Sequence, residues 1–133
     1  MRVLHVLDHS LPMHSGYAFR TRAIMRAQAN DGLDVRGITG PRHAADGPPD
    51  EICEGLRFHR SGAAPGGPPL VAEWREVSAH ANAIVELARQ WRPDVLHAHS
   101  PALAGLAAIR AGRKLRIPVV YEIRAFWEDA AVG

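Results

Sequence analysis

Residues 94–99 read "DVLHAH", and the two residues that follow them read "SP". A short run of valine, leucine and alanine is typical of a strand buried on both faces of a parallel sheet. The serine can cap a helix that has the proline at its first position. The small apolar residues "ALAGLAAIRAG" at 102–112 allow that helix to lie close against the sheet. The stretch therefore predicts a strand and a helix of a layered α/β domain.

The same pattern recurs on both sides of this stretch. "RVLHVL" at 2–7 and "IPVVYEI" at 117–123 are dense in branched apolar residues and predict two further buried strands. Residues 17–30 have a helix-forming composition, and Gly32 is placed to end that helix. Shorter strands are predicted at 34–39 and at 55–60.

A helix at 71–91 has the clearest periodicity of the chain. Its apolar residues recur every three or four positions, which predicts one stripe packed on a flat surface. The stripe consists of Trp74, Val77, Ala81, Ile84, Ala88 and Trp91. Residues 40–69 contain six of the ten prolines and six of the twelve glycines. Apart from the short strand, they are predicted to be loop.

The alternation of strands and helices predicts a single α/β domain over 1–133 with a mostly parallel sheet. Ligands of such sheets bind beyond the carboxyl ends of the strands. Residues 8–16, 97–101 and 122–128 follow three of the strands, so we expect them to lie along one edge.

Composition excludes several classes of protein. A net charge of +2 is too small to suggest nucleic-acid binding. Cys53 is the single cysteine, so no internal disulfide can form and a reducing compartment is compatible. The N-terminus lacks the features of a signal peptide, and no apolar run approaches the ~20 residues of a membrane span. Because the sequence ends at "FWEDAAVG", where a helix begins, we expect the chain to be part of a longer one.

The loop after the first strand lacks the G-x-G-x-x-G of nicotinamide sites, and the chain has no P-loop motif. One glycine at a helix start still allows a backbone N–H to approach an anion. Gly16 stands at that position, and Arg20 and Arg22 follow within the first turns. In the alternative interpretation, Gly16 makes a tight turn and both arginines are solvated.

The two histidines at the end of 94–99 have three possible roles. His97 and His99 can bind a metal with a third ligand from His5, His9 or His14, although nothing in the sequence fixes their distances. Otherwise His97 is a core histidine bonded to backbone. We expect His99 just past the strand, where it can bond a substrate or take a proton.

Polar groups also follow the last predicted strand. Glu122 and Arg124 are predicted to point away from the core, or to join an ion-pair network at the next helix. Phe126 and Trp127, if uncovered, favour dimerisation.

Taken together, "HSGYAFRT", "PDVLHAHSP" and "YEIRAFWEDA" resemble the N-terminal domain of GT-B glycosyltransferases, in particular the large retaining family four. The first and third of these motifs are also similar to those of the subgroup associated with exosortase and PEP-CTERM systems. The resemblance implies a Rossmann-like three-layer domain that binds the acceptor. It also implies a separate C-terminal domain, absent from this chain, that holds a nucleotide-sugar donor, with no metal.

The resemblance also implies site residues. It makes His99 the catalytic residue near the transferred sugar. The donor phosphate is expected at a group of four residues, Ser15, Gly16, Tyr17 and Arg20, and the acceptor at a group of three, His14, Glu122 and Arg124. Ser15 stands where the family often has a second glycine, which is a departure from its pattern.

The function predicted is therefore hexosyl transfer from a nucleotide-sugar to a glycan or lipid-linked acceptor in exopolysaccharide biosynthesis. The location implied is the cytoplasm, with room for peripheral contact with the inner membrane. The isolated domain is expected to be nearly inactive without its donor half. The alternatives are a stand-alone α/β binding or signalling module and a metal-dependent hydrolase that uses His97 and His99.

Overall fold

The computed structural model of the protein describes residues 1–11, 15–41, 43, 48–62, 66–99 and 102–122. Within them lie three helices, α1 (Gly16–Asn30), α2 (Pro69–Gln90) and α3 (Ala102–Leu115). The strands are β1 (Arg2–Leu7), β2 (Asp34–Thr39), β3 (Asp50–Cys53), β4 (Leu56–Arg60), β5 (Val95–His99) and β6 (Val119–Glu122). In the described part of the chain, no helix has the length and apolar character needed to cross a membrane.

The strands form one sheet in the order β3-β4-β2-β1-β5-β6. Every neighbouring pair is parallel except β3 and β4, so the predicted mostly parallel sheet is confirmed. The prediction of loop around 55–60 is wrong for β3. Glu54 and Gly55 have positive φ angles of 52° and 81° and join β3 to β4 as a tight hairpin. This turn lets β4 run back beside β3. The prolines and glycines around it are typical of loop, so the sequence did not predict the hairpin.

Helices cover both faces of the sheet and bury a different core on each. Alternate residues of β1 point to opposite faces, as the two-residue period of a strand requires. On one face, Leu7 packs with Phe58 of β4 and Met25 of α1. On the other, Leu4 and Val6 belong to the core that α2 and α3 cover, which includes buried alanines of α3: Ala104, Ala107, Ala108 and Ala111. The predicted close approach of the small-residue helix is confirmed.

α3 continues three residues beyond its predicted end. Gly112 lies inside the helix, at the point of closest approach to the chain that leads into β6. A Cβ added there would lie 2.8 Å from the carbonyl oxygen of Ile117 and 2.6 Å from Cγ2 of Val119. The glycine is therefore required for packing. Arg116, with a φ of 58°, follows the last helical residue.

The predicted apolar stripe of α2 is buried along only part of its length. Ala81, Ile84 and Ala88 are buried in the core, whereas the side chain of Trp74 is 61% exposed. A Cβ added at Gly40, the residue after β2, would lie only 2.9 Å from Nδ1 of His80. The turns of α2 before His80 therefore extend past the carboxyl edge of the sheet, which explains the exposure of Trp74.

His80 is a buried histidine that the apolar stripe did not predict. Its imidazole hydrogen-bonds the backbone of Ile38, while its Nε2 is buried and has no hydrogen-bond partner among the described residues. Burial lowers the pKa of His80 to about 4, even though the bond to Ile38 acts in the opposite direction. Burial, followed by the charge of Arg60, also lowers the pKa of His43 to about 4.

Replacing Gly112 by alanine should overpack the junction of α3 and β6. The new methyl group meets a backbone carbonyl that cannot turn away, so we expect a loss of about 1–3 kcal/mol of stability. Urea unfolding measures the loss. Gly66→Ala is the matched control, because a Cβ at Gly66 meets nothing within 4 Å. Equal midpoints for Gly112→Ala and the parent protein would show that the packing at this junction is loose.

The buried neutral histidines should make stability fall in mild acid. Between pH 6.5 and 4 the unfolded chain binds protons at His80 that the folded chain does not, so the free energy of unfolding falls with falling pH. For this one group the loss is up to ~3 kcal/mol. His80→Gln keeps a donor for Ile38 and removes the titration. Its thermal midpoint should therefore change less between pH 7 and pH 5 than that of the parent. Parallel pH profiles would contradict this assignment.

Candidate functional site

Polar side chains gather at the carboxyl edge of the sheet. β1, β5 and β6 run parallel, so Asp8, His99 and Glu122 come to this one edge. The prediction that the three loops share an edge is confirmed for their described residues. His14 and Arg124, predicted to bind the acceptor, lie outside the described residues.

Three histidines stand side by side on the face of the sheet that α1 covers. His5 lies opposite His97 in the pairing of β1 with β5, and His99 follows two residues later on the same face. The ring centroids of His97 and His99 are 4.5 Å apart with an interplanar angle of 8°. The ring of His5 stacks on that of His97 at 4.6 Å. The expectation that His97 and His99 point to the same side is confirmed.

A chain of hydrogen bonds runs from α1 through these rings. Oε1 of Gln28 lies 2.6 Å from Nε2 of His5, and Nδ1 of His5 lies 2.7 Å from Nε2 of His99. The oxygen of Gln28 can only accept, so a neutral His5 donates from Nε2 and accepts at Nδ1 from His99. Nδ1 of His99 then faces Oε2 of Glu122 at 3.6 Å. Two hydrogen bonds and one ion-pair contact thus connect helix α1 to the last residue of β6.

Exposure differs sharply along this chain. His5 and His99 are fully buried, whereas the side chain of Glu122 is 36% exposed. The expectation that His99 lies just past the strand is wrong: it is the last residue of β5, at the expected edge, and its ring is covered. His97 is partly buried, but its Nε2 lacks the expected backbone bond and lies 3.4 Å from Oε1 of Glu122. Glu122 is therefore open to a ligand, whereas His5 and His99 are not.

The loop after β1 leads into a capped helix. The Ser15 hydroxyl accepts from the N–H of Ala18 at 3.0 Å and bonds Nε2 of His9 at 2.8 Å. His9 also lies 3.0 Å from Oδ2 of Asp8, and the Tyr17 hydroxyl accepts from the N–H of Asp8. Ser15 and Tyr17, both predicted to bind the donor phosphate, thus contact His9 and Asp8 at the end of β1.

Gly16 is the first residue of α1 and does not have a positive φ. A Cβ added there would meet nothing within 4 Å, so neither a tight turn nor packing requires glycine. Arg20 is exposed on the same helix. Arg22 pairs with Glu54 at 3.3 Å and so contacts the β3–β4 hairpin, which removes it from the expected phosphate contacts.

Arg60, at the end of β4, is a buried cation that the sequence analysis did not identify. Its guanidinium donates to the Ser10 hydroxyl at 2.6 Å and to the carbonyl of Leu11 at 2.7 Å. Glu51 lies 3.6 Å away, and burial lowers the pKa of Arg60. Arg60 therefore holds the loop after β1. The sequence feature that could have identified Arg60 was its position at the end of a predicted strand inside a Pro/Gly-rich segment.

The ligand atoms of His5, His97 and His99 lie within 4.8 Å of one another, which is compatible with a metal ion by distance. Histidines that share an ion direct their in-plane lone pairs at it. Here the nearly parallel rings of His97 and His99 stack instead, and His5 hydrogen-bonds His99. The rings would have to turn before all three could bind one ion.

Comparison with solved structures gives relatives of similar fold. The catalytic domain of starch synthase IV from Arabidopsis thaliana, bound to ADP and acarbose, matches with a TM-score of 0.61 and 17% identity over 91% of this chain. The glycosyltransferase SsfS6 of Streptomyces sp. SF2575, complexed with thymidine diphosphate, matches with a TM-score of 0.62 and 18% identity over 92%. The matches span 33% and 38% of those two chains.

A domain from another kind of protein has the same fold. The C-terminal domain of the PF1911 hydrogenase from Pyrococcus furiosus matches with a TM-score of 0.62 and 12% identity, over 91% of this chain and 90% of that domain. At these identities the likeness concerns the fold alone. Among curated proteins, no relative was found by sequence.

The family is given by the sequence. The model of the glycosyl transferase 4-like domain matches residues 15–133, which include the capped start of α1 and the β5 histidines. The fold is that of GT-B glycosyltransferase domains, as the two structural neighbours indicate. The chain belongs to the glycosyl transferase 4-like domain family.

Proposed function

We propose that this chain is the acceptor-side domain of an enzyme that transfers a sugar from a nucleotide-sugar to a glycan or lipid-linked acceptor. The observation that carries the proposal is the juxtaposition, at one sheet edge, of the α1 N-terminus with the His99–Glu122 pair. The family match and the nucleoside diphosphates bound to the two glycosyltransferase neighbours support a nucleotide-sugar as donor.

The proposed chemistry requires two kinds of group. As the bond between the sugar and the diphosphate of the donor breaks, negative charge grows on the departing diphosphate. N–H groups at a helix start stabilise that charge. Gly16 supplies an N–H with no Cβ in the way, and Arg20 adds positive charge from the same helix. Ser15 keeps the helix start in place through its bonds to Ala18 and His9.

At the acceptor side, we propose that Glu122 faces the hydroxyl group that receives the sugar. The carboxylate is partly exposed, and His97 and His99 lie within 3.6 Å of it. The resemblance assigns His99 to the transferred sugar, and this remains a prediction. Because the ring of His99 is buried, we propose that it contributes by fixing the position and charge of Glu122. His14 and Arg124 are proposed as further acceptor contacts.

The proposal also includes four more specific predictions from the sequence. They are transfer of a hexosyl group, a role in exopolysaccharide biosynthesis in the exosortase-associated subgroup, independence of metal ions, and a cytoplasmic enzyme. A C-terminal donor-binding domain is the expected partner of this one. Since the chain spans about a third of the two glycosyltransferase neighbours, activity is to be tested in the complete protein.

One observation favours a second candidate, a metal-dependent hydrolase: the three histidines with ligand atoms within 4.8 Å. Elemental analysis of the purified protein distinguishes the two candidates. A stoichiometric metal lost in His97→Gln would favour the hydrolase. The glycosyltransferase proposal expects activity that survives chelation.

Gly16→Ala should weaken donor binding without unfolding the domain. The methyl group meets no protein atom, so stability should stay within about 0.5 kcal/mol of the parent. A diphosphate seated on the helix start would lose a charge-assisted bond, which raises the KM for the donor about tenfold or more. Gly66→Ala is the control in equally open space. An unchanged KM would remove Gly16 from the donor site.

His99→Ala should lower turnover of the complete enzyme more than His97→Gln does, provided that both variants remain folded. Glu122→Gln tests the same pair at a partly exposed position, where folding is less at risk, and should lower kcat about a hundredfold. Turnover assays on a nucleotide-sugar, with circular dichroism for folding, measure both effects. Equal activity of folded His99→Ala and the parent would remove His99 from the site.

A further inference from the structure

A wide apolar groove lies between α2 and α3, on the face of the sheet opposite the histidines. Its volume is about 890 Å³. Four large apolar side chains that line it are exposed: Leu70 (81%), Trp74 (61%), Leu106 (53%) and Ile109 (41%). Leu70 and Trp74 belong to the turns of α2 that extend past the sheet. An exposed apolar surface of this kind marks a contact with a membrane or a partner.

The charged side chains at the groove indicate whether a membrane or a partner protein binds there. Arg110, Arg113 and Lys114 of α3 line it, and Glu73 is the acidic residue among its lining residues in the described chain. Arg110 lies across the groove, with its guanidinium 5.5 Å from the ring centre of Trp74. The groove is thus apolar at its centre and carries a net positive charge at its wall.

We propose that the groove between α2 and α3 is the surface by which this protein contacts an anionic lipid bilayer. Tryptophan and leucine side chains enter the boundary between headgroups and acyl chains, while lysine and arginine contact the lipid phosphates. Each basic side chain at an anionic surface strengthens binding by roughly fivefold. This lipid contact goes beyond the proposed sugar transfer and does not depend on it.

The groove adjoins the edge of the sheet that carries the candidate site. Val77 and Leu103 line both the groove and a small cavity beside Asp8. A bilayer on the groove therefore lies next to the residues that follow β1. This arrangement fits a lipid-linked acceptor, a point that rests on the proposed function.

A second copy of the chain is a poorer occupant. In a symmetric dimer the same patch meets itself, so the net positive charge of Arg110, Arg113, Lys114 and Glu73 would be present twice in one interface. Like charges in such an interface oppose association. Phospholipid headgroups supply the complementary negative charge.

Flotation of the complete protein with vesicles tests the proposal. Vesicles of phosphatidylcholine and phosphatidylglycerol in equal parts should bind it at least about tenfold more strongly than vesicles of phosphatidylcholine alone. The double variants Leu70→Ser with Trp74→Ser, and Arg113→Gln with Lys114→Gln, should each reduce binding by about tenfold or more. All four positions lie on the helix surface, and circular dichroism checks that both variants fold.

Two controls separate this surface from others. Ile52→Ser removes an exposed apolar side chain of β3, and Arg57→Gln with Arg89→Gln removes two exposed charges away from the groove. Both should bind vesicles like the parent. No binding to anionic vesicles, or equal losses in control and groove variants, overturns the proposal. A dimer that Trp74→Ser dissociates also overturns it, by assigning the groove to a second copy. Sugar-transfer assays with a soluble acceptor report separately on the proposed function.

Discussion

The hydrogen bond between His5 and His99 is the contact on which the organisation of the candidate site depends. It joins β1 to β5 across their shared face, at a distance of 2.7 Å and out of reach of solvent. A buried polar group is costly without a partner, and here Gln28 lies on one side of the pair and Glu122 on the other. A single polar chain therefore contacts one helix and three strands.

The two faces of the sheet have cores of different composition. Toward α2 and α3, small and branched apolar residues fill the space, and the alanines and Gly112 of α3 allow close approach. Toward α1, the histidines replace apolar side chains on β1 and β5, while Leu7, Phe58 and Met25 form a smaller apolar core beside them. The polar face ends at the partly exposed Glu122, so the less apolar half of the core is also the half that leads to the candidate site.

The loop after β1 is held by groups from distant parts of the chain. Arg60 bonds Ser10 and Leu11, and His43 lies 3.4 Å from the N–H of Ser10. Next to them, Asp8, His9 and Ser15 connect the end of β1 to the helix cap. These contacts fix residues 8–11 and the helix cap. An anion site at the start of α1 needs a backbone fixed in this way if it is to bind a ligand without first ordering it.

Much of the fold could be read from local patterns. The apolar runs at 2–7 and 94–99 and the glycine after α1 predicted strands, a helix end and the shared carboxyl edge, because burial and helix termination depend on near neighbours in the sequence. Family membership also followed from short motifs. The two-residue hairpin turn was missed, since it lay among prolines and glycines that predict loop equally well.

Only the tertiary structure decided which polar groups meet. The sequence offered His5, His9 and His14 as equal partners for the β5 histidines. Among the described residues, strand order brings His5 to them, because β1 lies directly beside β5. The same packing buried His99, directed Arg22 to Glu54, brought Arg60 to the first loop and left Trp74 uncovered. The periodicity of a segment specifies that a side chain faces inward, but the partner that it finds there is set by residues far away in the chain.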